Sequence, residues 1–116
     1  MTKVLIVDDE FFMFNVIEGL FAKVDSEVFY AEDGREALDV IGQTDFDIIF
    51  CDGNMPGMDG LEFIKEFRKQ NQTTPVIVIS NDGSMAKFML KNGANDTTEK
   101  HDIFRYLKKW IASKDL

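Results

Sequence analysis

Short apolar runs alternate along this chain with segments in which apolar side chains recur every three or four residues. Residues 3–7 are almost continuously apolar, the pattern of a strand covered on both faces. In residues 10–23, Met13, Val16, Ile17 and Leu20 fall on one stripe, which predicts a helix. Residues 27–31 predict a second strand, and Asp33 and Gly34 a turn into a helix carrying Ala37, Leu38 and Ile41. A third strand is expected over residues 46–51, ending at Asp52. The helix of residues 60–70 follows, with Leu61, Ile64 and Phe67 inward. Residues 75–80 are the most strand-like run, because Val76, Ile77, Val78 and Ile79 are all β-branched. A helix over residues 84–92 is stopped by Gly93. Residues 95–99 form a weak, polar fifth strand, and residues 102–112 a final amphipathic helix.

This (βα)5 alternation with short connections predicts an α/β fold. Its parallel sheet should carry helices on both faces and be joined by right-handed crossovers. No repeat or linker interrupts it, so residues 1–116 are read as one doubly wound domain. Such sheets bind ligands at the carboxyl ends of their strands. Those ends hold Asp8 and Asp9, then Asp52, Ser80 and Lys100.

Composition narrows the function classes. A net charge of -8 and scattered basic residues argue against direct nucleic-acid binding. No apolar run is long enough for a membrane span, and the acidic residues 8–10 follow too early for a signal peptide. The single cysteine, Cys51, lies in an apolar run and reads as buried core, which suits a reducing compartment. A cytoplasmic protein is expected.

Carboxylates gathered at one sheet edge repel one another unless a cation sits among them. Hard oxygen donors without His or Cys select Mg²⁺, which leaves coordination positions for phosphate oxygens. A carboxylate can also be the nucleophile towards phosphorus. Phosphoryl transfer then needs chiefly positioning and charge neutralisation, for which Lys100 and Ser80 are suited. Spacing alone does not say which Asp is the nucleophile. Singly, each residue has a plain explanation: paired Asp as a helix cap, Ser80 as a turn residue, Lys100 as a solvated cation. Their convergence on one edge is what argues for a site.

The ordered motifs resemble bacterial response-regulator receiver domains from end to end, with an Asp52 segment most like the single-domain chemotaxis type. The matching segments are VLIVDDE with Asp8 and Asp9, AEDGREAL at residues 31–38, and DGNMPGMDG at residues 52–60. Ser80 stands at the family's Thr/Ser position, and Lys100 follows Gly93 by the family's interval. The resemblance implies a flavodoxin-like sheet in the order 2-1-3-4-5. It implies Asp52 as phosphoacceptor, and Mg²⁺ held by Asp9, Asp52, the Asn54 backbone carbonyl and, through water, Asp8. Ser80 and Lys100 would meet the phosphoryl oxygens, with Pro56 and Gly57 shaping the loop. The implied partners are a histidine kinase or phosphotransfer protein and a downstream protein target, for a monomer or weak dimer. Such a protein is no enzyme beyond assisting its own phosphorylation and dephosphorylation.

Three positions depart from the family pattern. Asn81 replaces the small residue after Ser80, His101 replaces the proline after Lys100, and Thr97 stands where an aromatic switch residue is usual. A non-proline cis bond costs about 3–4 kcal/mol, so a trans Lys100–His101 bond is expected. Coupling to an output surface cannot use the missing aromatic, and this keeps an alternative open: a receiver-like module that works without phosphorylation. A phosphatase with an Asp nucleophile would want a DxD pair after strand one, where this chain has adjacent Asp8 and Asp9, and a flavodoxin would want a Ser/Thr/Gly-rich phosphate loop there; neither follows strand one. His101, in a loop, reads as a solvent-facing residue or cap rather than a phosphodonor. Asp82 and Asn54 are placed to influence an attacking water. Phe11, Phe12 and Phe14 either form a kinase-docking patch or tuck against neighbouring helices. Tyr106 and Trp110, with Phe88 and Met89, read equally as an output surface or as core.

Overall fold

The computed structural model describes residues 1–116. Five parallel strands, β1 (Thr2–Val7), β2 (Ser26–Ala31), β3 (Ile48–Asp52), β4 (Val76–Ile79) and β5 (Asp96–Thr98), form one sheet in the order β2-β1-β3-β4-β5. Between them run α1 (Phe11–Leu20), α2 (Gly34–Ile41), α3 (Gly60–Gln70) and α4 (Gly83–Lys91), and α5 (Ile103–Ser113) follows β5. This is the flavodoxin-like order expected from the resemblance.

Strand alternation sorts the apolar residues into two cores. Leu5, Val7, Ile49, Cys51, Val76 and Val78 point to the face covered by α2, α3 and α4, where Phe63, Ile64, Phe67 and Met89 meet them. Val4, Ile6, Ile48, Phe50, Ile77 and Ile79 point to the other face, against Met13, Ile17 and Phe21 and against Ile103 and Leu107 of α5. Because both faces are covered, the central strands need apolar residues at every position, which is why their sequences show no polar alternation. Cys51 is fully buried, as its surroundings in sequence implied.

Several expectations move by a few residues. Helix α1 stops at Leu20 rather than residue 23, because buried Phe21 turns the chain back and its carbonyl accepts the Val24 N–H at 2.9 Å. Strand β3 starts two residues late, at Ile48, because Phe46 turns aside to meet Phe29 edge-on, ring centroids 5.1 Å apart. On α3 Phe63, stacked on Phe67, is fully buried along with Ile64, while Leu61 is half-buried. A 3-10 turn at Lys100–Asp102 precedes α5, which therefore opens at Ile103. The Lys100–His101 bond is trans, as is every other peptide bond.

The aromatic residues divide. Phe11 and Phe12 are exposed, whereas Phe14 is half-buried against Tyr30. Met89 is fully buried, so it belongs to the core and to no surface; Phe88 is exposed. Tyr106 lies edge-on to Phe50 and donates its hydroxyl to Asp96 at 3.0 Å, and Trp110 leans on Phe21. His101 is exposed beside Glu99 and Asp102.

Candidate functional site

Each residue of the strand-end group is placed by its own local geometry. The Asp8 N–H donates to the Ala31 carbonyl at 3.0 Å, extending the β1–β2 ladder by one residue. Its carboxylate then accepts the Glu10 N–H at 2.8 Å, which turns the chain into α1. Asp52 is the last residue of β3, paired with Ile79 of β4. Ser80 follows β4 and donates its N–H to the Thr98 carbonyl at 3.1 Å, while its hydroxyl accepts the Asp82 N–H at 3.0 Å. Lys100 opens the 3-10 turn just past β5.

These placements bring all the residues singled out from the sequence to one edge. Carboxylate oxygens of Asp8, Asp9 and Asp52 lie within 4.8 Å of one another. The Lys100 ammonium stands 4.0 Å from Asp52 Oδ2, and Asp52 Oδ1 accepts the Asn54 N–H at 3.2 Å. A cavity of about 410 Å³ opens over them, lined by Asp9, Glu10, Asp52, Asn54, Ser80, Asn81, Asp82 and Lys100. No apolar side chain lines it, so it suits a small charged group rather than an organic ligand. Asp8 is more deeply buried and does not line the cavity. Sequence reasoning missed Glu10 as a wall of this space, although it directly follows the acidic pair.

Burial dominates the electrostatics. Asp8 is 2 % exposed, and its carboxyl is pushed up from an ordinary 3.8 to about 6. Desolvation is the main cause, opposed by the Glu10 N–H and reinforced by the Asp52 charge. Asp52, 5 % exposed, is also raised by burial, against the lowering effect of the Asn54 N–H and of Lys100. The protein alone therefore undercompensates its own acidic cluster, the condition in which a divalent cation binds well.

The close approach behind Asp52 requires a glycine. A Cβ on Gly60 would stand 2.6 Å from the Asp52 carbonyl oxygen and 2.9 Å from Gly53 Cα. Both are backbone atoms that cannot swing aside. Gly60→Ala is expected to destabilise the fold by about 1–3 kcal/mol and to displace Asp52. Urea denaturation checks this; an unchanged midpoint would show that the loop yields without cost.

Thr97 lines a second cavity of about 330 Å³ that shares Ser80 and Asn81 with the first. Asn54 and Asp82 approach each other at 3.5 Å across the first cavity, between Nδ2 and Oδ2.

The comparisons with known proteins agree with this fold. The family model described as the response regulator receiver domain matches residues 4–112. The chain belongs to the response-regulator receiver family. The chemotaxis response regulator CheY4 of Vibrio cholerae is similar at 32% identity and a TM-score of 0.86, over 97% of this chain and 98% of that one. A putative response regulator from Chloroflexus aurantiacus is similar at 28% identity and a TM-score of 0.86, over 97% and 95%. NtrX from Brucella abortus matches at 29% identity and a TM-score of 0.85 over 98% of this chain, which spans 27% of NtrX. The chain is thus a receiver domain of two-component signalling, with an acidic pocket at the carboxyl ends of its strands. No helix is long and apolar enough to cross a membrane.

Proposed function

We propose that residues 1–116 act as a receiver domain whose Asp52 accepts a phosphoryl group from a phosphohistidine, on a histidine kinase or a phosphotransfer protein. An Asp52 carboxylate oxygen attacks phosphorus, the P–N bond breaks, and the leaving imidazole takes up a proton. The supporting observation is that Asp52 alone among the clustered carboxylates is buried, opens onto the cavity and faces the Lys100 ammonium. Lys100 is placed to offset the charge of the arriving phosphoryl group. The Ser80 hydroxyl, now an acceptor for the Asp82 N–H, has a proton free to donate to a phosphoryl oxygen.

The donor set fits Mg²⁺: hard oxygens only, closely gathered and undercompensated. Asp9, Asp52 and the Asn54 backbone carbonyl would hold it, with Asp8 acting through water. When bound, Mg²⁺ supplies charge neutralisation at the phosphoryl oxygens. Exposed Phe11 and Phe12, beside Asp9 and Glu10 in sequence, offer the phosphodonor an apolar contact. Phosphorylation would alter a surface read by a downstream protein target.

A second reading, a module that binds its partner without phosphorylation, draws on Thr97 at the usual aromatic position. Beryllofluoride, a phosphoryl mimic, separates the two. Saturable, Mg²⁺-dependent binding followed by ¹⁹F NMR is expected; no binding at millimolar beryllofluoride favours the phosphorylation-independent module.

A further inference from the structure

Asn81 takes no part in the chemistry above, yet it lines both cavities and makes a bond that spans the site. Its side-chain oxygen accepts the backbone N–H of Lys100 at 3.1 Å, across nineteen residues of chain. The bond joins the turn after β4, which carries Ser80, to the turn after β5, which carries Lys100. We infer that Asn81 is the positioning residue for Lys100, fixing its backbone so that the ammonium stands over Asp52. This rests on the phosphoacceptor reading of the site.

Lys100 needs such an anchor. Its ammonium sits at the end of a flexible four-carbon stem, and placing it costs rotamer entropy unless the backbone beneath is held. The strand before it is only three residues long, and the residue after it is exposed His101 rather than a rigid proline. The last backbone bond across the site, from the Ser80 N–H to the Thr98 carbonyl at 3.1 Å, ends two residues before Lys100, and the bond from the Asp102 N–H to the Glu99 carbonyl at 3.0 Å closes the 3-10 turn only locally. The Asn81 oxygen supplies that cross-site tie. Alanine or glycine at this position has no side-chain acceptor to offer, and the Lys100 N–H would lose this partner.

Two readouts test the role. Amide hydrogen exchange should show the Lys100 N–H protected in the unaltered protein, unprotected in Asn81→Ala and protected again in Asn81→Asp, which keeps the acceptor oxygen. The rate of phosphoryl uptake from acetyl phosphate with Mg²⁺ should fall roughly 3- to 10-fold in Asn81→Ala. In a Lys100→Met background the same Asn81→Ala change should have no further effect, because its action runs through Lys100. An equal loss in both backgrounds, or no loss in either, overturns the role. If no variant takes up a phosphoryl group while the Lys100 amide is still protected by Asn81, the tie stands. The phosphoacceptor reading then falls, and the positioning role with it.

Discussion

Asp52→Asn is expected to abolish phosphoryl uptake, by at least roughly 10³-fold, while leaving the fold intact. An amide oxygen carries no full negative charge and is a poor nucleophile towards phosphorus. No neighbour is placed to substitute. Asp8 is committed to the Glu10 N–H and lies outside the cavity, and Asp9 makes no ion pair with Lys100. The substitution should not unfold the protein. Asn is nearly isosteric, its oxygen can keep the Asn54 N–H contact, and a charge is removed from a crowded acidic cluster. Intact mass and circular dichroism on the same sample check both halves. Persistent uptake with unchanged dichroism would assign the nucleophile elsewhere.

Asp8→Asn is expected to raise stability at neutral pH. In the folded protein the Asp8 carboxyl titrates near 6, against 3.8 ordinarily, so the folded state keeps a proton that the unfolded chain has released. Stability therefore declines as pH rises from about 4 to about 6 and stays lower above that, by on the order of 2–3 kcal/mol from this group. Asparagine removes the charge, keeps an oxygen for the Glu10 N–H, and abolishes that decline. At pH 7.5 with a chelator, the variant should melt roughly 5–10 °C above the unaltered protein. Mg²⁺ should raise the melting temperature of the unaltered protein, since binding to the folded state alone stabilises it, and should raise that of the variant less. Melts across pH, with and without Mg²⁺, provide the comparison. A variant less stable at pH 7.5 would mean that the buried charge is compensated within the protein.

Much of this is legible in the sequence. Continuous apolar runs located the three central strands, β1, β3 and β4, because strands covered on both faces leave few polar positions to obscure them. Once the strands were placed, the rule that ligands gather at their carboxyl ends brought Asp8, Asp9, Asp52, Ser80 and Lys100 together. The misses are local or non-local in instructive ways. The end of α1 was overrun because Phe21 continues the helical stripe while its backbone turns away. Leu61 was preferred to Phe63 because both flank the same stripe, and only packing against the sheet selects one. The turn at Lys100–Asp102 is too short for periodicity to register. Met89 and exposed Phe88 part company because adjacent helical residues share no face, and residue type alone does not reveal which of the two turns inward. The Asn81–Lys100 bond joins residues that no spacing rule connects; the only prior sign was an Asn where the family has a small residue.

The most direct measurement is intact mass after incubation with acetyl phosphate, run in parallel with Mg²⁺ and with a chelator. A single phosphoryl increment that appears with Mg²⁺ and is absent from the chelated sample is the expected result. No increment in the presence of Mg²⁺, or an equal one in Asp52→Asn, would contradict Asp52 as the phosphoacceptor.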